Sequence, residues 1–400
     1  MDLLIQLAIL SCYILAGRLV IKYLQGWWRE LVFTGLNLAA FYFFFFWNSR
    51  NTPGFVAYLG VVVLQYLTLR LFAERKGWLP WLAFFTPILA LVAVRYAPLH
   101  ISAPFGGHPL FTPAFIGISY LAFRSSRLVL EIRNGSTPRP GFLDYLGFCF
   151  FVPTMSVGPI NTYSNYRSAF GPQPPAIPVG RACLRIIVGL VKFKFLGGIL
   201  FQMTYTNLMF DDHFHPRLDL LVAAIFYYLY LYCNFSGFCD MAIGAAGLMG
   251  IAVPENFDNP FGARNIKDFW NRWHITLSHY MRDVVFAPLS KFLVRTAGPA
   301  MADHAIALTI LVVFLLVGIW HGVGWNFAAY GAVHGVGVAA NHYYTIGLKK
   351  WLGREGFKAY NANPWIHGAA VTLTFTYCAL SLIFFANTFP ELKNMFLLLR

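Results

Sequence analysis

The stretch from Ala305 to Trp325, AIALTILVVFLLVGIWHGVGW, decides the fold of this chain. It carries no charged side chain from Ala305 to Trp320. Because an α-helix rises about 1.5 Å per residue, about 20 apolar residues cross the hydrocarbon core of a bilayer. The stretch is therefore predicted to be a membrane helix with His321 at its end, where Gly322 and Gly324 open the backbone to a close approach.

The rest of the chain has the same apolar character. Of its 400 residues, 58% are hydrophobic, 18% are aromatic and only 12% are charged. A typical globular domain has roughly 25% charged residues. A soluble fold of this size could not cover its surface with so few charged side chains. We predict an all-α polytopic membrane protein in which residues 1–400 form a single integral membrane domain.

The apolar runs predict ten to twelve transmembrane or re-entrant segments. The candidates lie near 3–22, 31–47, 54–72, 78–98, 110–130, 141–157, 182–203, 218–235, 236–252, 305–320, 326–345 and 366–388. Basic residues concentrate in the loops after odd-numbered segments, for example Arg70 and Arg75 after the third. The positive-inside rule makes these loops cytoplasmic. We therefore expect a multi-pass protein of the inner (cytoplasmic) membrane with an extracytoplasmic N-terminus.

The net charge is +14, and most of this excess is explained by the cytoplasmic loops. The remainder could serve an acidic cytosolic partner or anionic lipid head groups. No motif supports a nucleic-acid partner. The six cysteines are scattered, and we predict no metal site. The segment from Asp211 to His215 (DDHFH) could bind a metal by composition, but it is interpreted as a loop.

The segment from Asp268 to Asp283 mixes aromatic and charged residues without Gly or Pro, which predicts one continuous helix. Trp270, His274 and Leu277 would then share one face of that helix. The segment could lie on the membrane surface as an amphipathic helix, or it could dip into the protein interior.

Ionisable groups inside membrane segments are costly and are usually functional or paired. His321 suits proton transfer near neutral pH, although a hydrogen bond to a neighbouring helix would also explain it. His334 lies in a GxxxG pair, Gly331 and Gly335, which favours close helix packing. Asp240 could orient a histidine or, as we favour, pair with an arginine. Because GxSxG, HExxH, Walker and GxGxxG motifs are missing, one histidine acting as base on a hydroxyl is the simplest remaining chemistry.

An ordered series of motifs covers about residues 115–345: GISY (117–120), FVP (151–153), GPI (158–160), FSGFCDMAIG (235–244), PENFDNPF (254–261), DFWNRWHITLS (268–278) and WHG (320–322). Together these resemble the membrane-bound O-acyltransferase (MBOAT) family, in its bacterial DltB/AlgI branch. The resemblance implies a bundle of helices around a central tunnel.

The resemblance also implies the site residues. The histidine of the Trp-His-Gly motif, here His321, is expected to be catalytic, together with His274 of the Asn-Arg-Trp-His motif. We expect His321 to act as general base, and His274 to steady the developing oxyanion or to hold the donor. Substrate-binding residues are expected among these motifs and the polar groups beside them: Trp273, Asn271, Arg272, Trp320, Ser278, Asp240 and His334.

Enzymes of this branch move an acyl group from a thioester to a hydroxyl. In the DltB-like case the donor is D-alanine on the phosphopantetheine of a small acidic cytosolic carrier protein, and in the AlgI-like case the group is acetate for an exported polysaccharide. The amino-acid sequence of residues 268–278 and the short length of the chain resemble DltB more than AlgI. We therefore predict D-alanyl transfer, with acetyl transfer as the alternative. We expect no resident cofactor beyond the donor's phosphopantetheine thioester.

The expected partners are the carrier protein, a cell-envelope polymer or relay protein as acceptor, an accessory extracytoplasmic transferase and the lipid bilayer. Two other classes remain open. A transporter or flippase would use His321 and Asp240 as a proton relay, and a scaffold of a cell-envelope complex would need no histidine at all.

Overall fold

Helices follow the apolar runs of the sequence in the computed structural model, which describes residues 3–47, 51–96, 117–171, 174–208 and 216–398. The first helices are α1 (Leu3–Tyr23), α2 (Gly26–Tyr42), α3 (Thr52–Phe72), α4 (Leu79–Tyr96), α5 (Ile118–Arg133), α6 (Phe142–Cys149), α7 (Tyr163–Ser168), α8 (Val179–Leu190), α9 (Gly197–Phe201) and α10 (Tyr205–Leu208). They are followed by α11 (Pro216–Met249), α12 (Ile266–Arg272), α13 (Ile275–Met281), α14 (Ala287–Ala297), α15 (Ala302–His321), α16 (Trp325–Ala362), α17 (Pro364–Ser381), α18 (Ile383–Ala386) and α19 (Phe389–Leu398).

Within these described ranges the only β-type pairing is an isolated antiparallel bridge between Phe257 and Trp273. The all-α prediction is therefore confirmed. The candidate metal ligands Asp211, Asp212, His213 and His215 lie outside the described residues.

Six of the described helical segments are long and apolar enough to cross a membrane. They are Gly26–Trp47, Thr52–Phe72, Leu79–Tyr96, Arg217–Met249, Pro299–His321 and Pro364–Ala386. This confirms a polytopic membrane protein, while the larger number of ten to twelve segments and the central tunnel stay predictions.

Three of the predicted segments have a different structure. The short candidate segment 141–157 is broken, because helix α6 ends at Cys149 and the chain continues as a short 3-10 turn around Pro153. The predicted pair 218–235 and 236–252 is one helix, α11. Gly237 does not end it, because a glycine inside a helix costs only about 1 kcal/mol when the backbone hydrogen bonds continue.

The chain divides into two compact units, one of Met1–Leu190 with Phe238–Glu255 and one of Val191–Gly237 with Asn256–Arg400. The core of the first unit is aromatic. The ring of Phe41 packs at 5.1 Å against both Tyr58 and Phe150, and all three side chains are buried. Such aromatic pairs add stability beyond the area they bury.

In the second unit α15 and α16 pack closely through glycines. A Cβ at Gly318 would lie 3.0 Å from the Cα of Gly331, and a Cβ at Gly331 would overlap the backbone oxygen of Phe314. A Cβ at Gly335 would lie 3.1 Å from the Cβ of Phe314. The close helix contact predicted from the GxxxG pair is confirmed.

Candidate active site

The motif at residues 268–278 is not a continuous helix, and that prediction is wrong. Helix α12 ends at Arg272, Trp273 is extended, and His274 has a left-handed backbone with φ 45° and ψ 51° before α13 begins. The cause is backbone pairing with a preceding segment of the chain, residues 256–258. The Asp258 N–H donates to the Arg272 oxygen, and the Ile275 N–H donates to the Asn256 oxygen, each at 3.0 Å. Such a conformation costs about 1–3 kcal/mol for a residue with a Cβ and persists where its surroundings impose it.

The His274 ring is held by Asn256. Its Nδ1 lies 3.1 Å from the Asn256 Oδ1, and the backbone N–H and the hydroxyl of Thr276 donate to the same oxygen at 3.2 and 2.9 Å. A backbone N–H can only donate, so the shared atom is an acceptor. The proton of the neutral imidazole is therefore on Nδ1, and Nε2 carries a lone pair.

That Nε2 atom is buried and has no hydrogen-bond partner among the residues that the structure describes. The His274 side chain is only 2% exposed. Burial lowers the pKa of His274 well below its usual value, and the charge of a protonated His321 lowers it further. Because His274 stays neutral, its Nε2 can accept a hydrogen bond or a proton but cannot donate one.

Trp320 and His321 stand beside His274. The Trp320 ring centre is 4.5 Å from the His321 ring and 6.1 Å from the His274 ring. His321 is half-buried at the end of α15, in edge contact with Tyr330 at 5.9 Å and Phe385 at 5.0 Å. The structure thus brings three of the predicted site residues into one cluster, His274, Trp320 and His321.

The glycine after His321 has a specific packing role. A Cβ at Gly322 would overlap the ring of Phe327. The sequence predicted a close approach at this position, and the group that approaches is this aromatic side chain of α16.

His334 has a different environment, although it is equally buried. Its Nδ1 accepts a hydrogen bond from the Trp270 indole N–H at 3.2 Å. The Ser381 hydroxyl donates to the Cys378 oxygen at 2.8 Å, so its oxygen accepts from the His334 Nε2, which is 2.9 Å away. Both ring nitrogens are engaged, and the imidazole joins α12, α16 and α17. These hydrogen bonds lead to α12 and α17 and do not cross the glycine contact between α15 and α16, and substrate binding by His334 stays a prediction.

The other predicted residues of the motif at 268–278 differ in their burial and in their contacts. Trp273 is buried, with its ring 5.5 Å from that of Phe269. The Ser278 hydroxyl donates to the Trp273 oxygen at 3.5 Å. Arg272 pairs with Asp268 at 2.9 Å and, with the exposed Asn271, lines a surface cavity that does not include the histidines. Their expected roles in substrate binding stay predictions.

Asp240 belongs to the first unit and pairs with Arg185. The Arg185 Nε donates to the Asp240 carboxylate at 2.9 Å, and the terminal guanidinium nitrogens bind Glu255. The favoured interpretation of Asp240 as an ion-pair partner is confirmed. Its expected part in substrate binding stays a prediction.

Sequence reasoning missed two residues that define the surroundings of His274. Asn256 fixes the tautomer, and the ring of Phe235 contacts the imidazole edge-on at 4.8 Å. Both residues lie inside quoted motifs, FSGFCDMAIG and PENFDNPF. The signal was present in the sequence, but nothing in its spacing showed which imidazole they would contact.

The cluster lies within a long part of the chain that a known family shares. The sequence profile of the family described as MBOAT, membrane-bound O-acyltransferase family, matches residues 36–382. The chain belongs to the MBOAT family. The match includes His274, Trp320 and His321, and it confirms the resemblance seen in the sequence motifs.

Individual relatives of this MBOAT protein agree with that assignment. The chain is 30% identical to a teichoic acid D-alanyltransferase of Streptococcus thermophilus over 332 residues, which are 79% of this chain and 77% of the relative. It is 30% identical to the Bacillus subtilis enzyme of the same name over 76% and 77% of the two chains. A probable alginate O-acetylase of Azotobacter vinelandii is 28% identical over 76% of this chain and 62% of the relative. The protein is a multi-pass membrane O-acyltransferase, as predicted.

Proposed function

We propose that this MBOAT protein transfers a D-alanyl group from the phosphopantetheine thioester of a carrier protein to a hydroxyl of a cell-envelope acceptor. The support is the relatives named teichoic acid D-alanyltransferases, which match it over more than three quarters of both chains. The acceptor is an envelope polymer such as teichoic acid, or a relay protein, and an accessory extracytoplasmic transferase would complete the path. The enzyme would act in the inner membrane with its N-terminus outside. The net charge of +14 suits an acidic cytosolic carrier.

In the proposed reaction His321 is the general base. Its imidazole takes the proton of the acceptor hydroxyl while the hydroxyl oxygen attacks the thioester carbonyl carbon. A carbon–oxygen bond forms, the carbon–sulfur bond breaks, and the imidazolium returns the proton to the departing sulfur. The half-buried ring at the end of α15 suits this role, because it is reachable and an imidazole can both take up and return a proton near neutral pH.

His274 is proposed to hold the donor. The observation that carries this assignment is the hydrogen bond from its Nδ1–H to Asn256, which leaves an acceptor atom at Nε2. An oxyanion needs a donor, so the neutral imidazole does not suit the alternative of steadying the developing negative oxygen. The α-ammonium of a D-alanyl group, or an amide N–H of the pantetheine arm, can donate to Nε2.

The test is transfer by the purified protein in liposomes, with carrier protein charged with labelled D-alanine. His321→Ala is expected to lower transfer about 10²- to 10⁴-fold, which is the usual contribution of a general base. The matched control is His342→Ala, since His342 is also on a membrane-domain helix but pairs with Asp303 at 3.1 Å. Transfer at the wild-type rate by His321→Ala would contradict the assignment.

The acetylase relatives make acetyl transfer the second candidate. The same assay with an acetylated donor separates the two. Faster transfer of acetyl than of D-alanyl would replace D-alanine by acetate in the proposal. Transfer of neither group by folded protein, with solute movement instead, would favour the transporter class.

A further inference from the structure

A cavity of about 790 Å³ lies between α16 and α17 in the second unit, and the cluster at His274 and His321 does not use it. Its walls are apolar side chains such as Leu348, Phe357 and Leu373. Phenol and amide groups of Tyr344, Tyr360 and Asn361 interrupt them. The Tyr344 and Tyr360 hydroxyls are bonded to each other at 2.8 Å. The cavity therefore combines a long apolar wall with a polar end.

The cavity lies at the level of a membrane interface. Helix α17 starts at Pro364, which opens a candidate membrane span, and Leu373 follows nine residues later. At 1.5 Å per residue this places Leu373 about 14 Å into the span. Trp365, the second residue of that span, is 86% exposed, and Trp351 on α16 is 81% exposed. Exposed tryptophans of this kind favour the head-group region of a bilayer.

The mouth of the cavity is cationic. Arg264 lines it, and the Arg264 guanidinium makes no hydrogen bond or ion pair with the described part of the chain. A second cavity of about 390 Å³ shares Arg264 and is lined by two further cations, Lys267 and Arg272, and by one carboxylate, Asp268. The end of α16 adds an exposed basic run, KKWLGREGFK (349–358), which has four basic residues and one acidic residue. Basic clusters next to a membrane span attract anionic lipid head groups.

We propose that this cavity binds one anionic glycerophospholipid. The phosphate group would pair with Arg264, and an acyl chain would lie along Leu348, Phe357 and Leu373. The basic run would add long-range attraction, and by the positive-inside rule it also places this end of the protein at the cytoplasmic leaflet. Both the charge at the mouth and the apolar wall match this class of lipid better than a zwitterionic lipid or a soluble anion.

The test measures lipid retention and needs no acyl transfer, so it is independent of the proposed function. The purified protein is equilibrated in nanodiscs with equal phosphatidylglycerol and phosphatidylcholine, then transferred to detergent and weighed by native mass spectrometry. Wild-type protein is expected to retain one phosphatidylglycerol in at least fivefold preference over phosphatidylcholine.

Two variants with matched controls locate the site. Ala340→Trp places a large ring in the cavity, whereas Ala359→Trp changes an exposed alanine outside its lining, beyond the break in α16 at Gly353. Arg264→Gln removes the guanidinium that lines the cavity. Its control, Arg295→Gln, removes an exposed guanidinium on α14. We expect at least fivefold less retained lipid for Ala340→Trp and Arg264→Gln, and wild-type retention for both controls. Size-exclusion profiles and thermal unfolding report whether each variant is folded.

Three outcomes would overturn the proposal. Wild-type protein could retain the two lipids equally, or folded Ala340→Trp could keep the lipid. Retention that depends on Ala340 but not on Arg264 would mean that an uncharged lipid occupies the cavity, which also contradicts it.

Discussion

His274 and His334 are both fully buried imidazoles in the second unit, and they differ in what their ring nitrogens do. The Nδ1 and Nε2 of His334 are both hydrogen-bonded, to Trp270 and Ser381. Only the Nδ1 of His274 is bonded, to Asn256, and its Nε2 has no partner among the described residues. The two rings also have opposite tautomers, with the proton on Nδ1 in His274 and on Nε2 in His334.

The comparison shows that burial does not by itself distinguish a functional histidine from a packing one. A satisfied imidazole stabilises the helices that it joins. An unpaired buried acceptor costs about 1–3 kcal/mol, and this cost is recovered when a donor group reaches it. The difference therefore favours His274 over His334 as the site residue of the proposed reaction.

Among variants that probe this pair of histidines, His274→Asn is expected to have the largest effect. Asparagine tolerates the left-handed backbone at this position, so the variant removes the imidazole and keeps the turn. We expect transfer to fall about 100-fold, as for the loss of one positioned catalytic group, while thermal stability changes little. Unchanged transfer, measured with labelled D-alanyl carrier protein, would remove His274 from the site.

The next largest effect is expected for Asn256→Asp, which should make transfer depend more strongly on pH. A carboxylate at this position still accepts from the Thr276 N–H, but it stabilises the imidazolium and raises the pKa of His274. Below that raised pKa Nε2 is protonated and can no longer accept. Transfer by the variant is therefore expected to fall about tenfold for each pH unit below it, and to recover as the pH rises.

The wild-type enzyme is the reference for this profile, because its His274 pKa is lowered and the residue stays neutral in the same pH range. Asn394→Asp, an exposed change of the same charge on α19, is the matched control. Superimposable pH profiles for Asn256→Asp and wild type would contradict the requirement for an unprotonated Nε2 on His274.

The smallest effect on transfer is expected from a change at the partner of His334. Ser381→Ala leaves the His334 Nε2–H unpaired, which should lower the free energy of unfolding by about 1–3 kcal/mol. Transfer by the folded protein should stay within a few-fold of wild type. Ser290→Ala is the control, since that exposed hydroxyl bonds only to the Ala287 oxygen. A selective loss of transfer without a loss of stability would give His334 a direct part in the site.

The sequence predicted those features that depend on neighbouring residues. The apolar run from Ala305 fixed the helix that ends at His321, and the spacing of Gly331 and Gly335 indicated the contact with α15. The ion pair of Asp240 with an arginine followed from the cost of an unpaired charge in a membrane segment.

The features that the sequence did not show depend on distant partners. The break at His274 is imposed by backbone hydrogen bonds with residues 256–258, and helical periodicity carries no information about that pairing. The same holds for His334, whose partner Ser381 is 47 positions further along the chain. The local pattern thus singled out both histidines as candidates, whereas only the tertiary contacts showed that their ring nitrogens are bonded differently.

The most direct test of this account is ¹⁵N NMR of the histidine-labelled protein in lipid bilayers, with His274→Asn and His334→Phe used to assign the two signals. The account predicts that at neutral pH His274 is protonated on Nδ1 alone and His334 on Nε2 alone, and that acidification to about pH 5.5, one unit below the ordinary histidine pKa, leaves His274 neutral. A proton on the Nε2 of His274, in either the neutral or the doubly protonated ring, would contradict it.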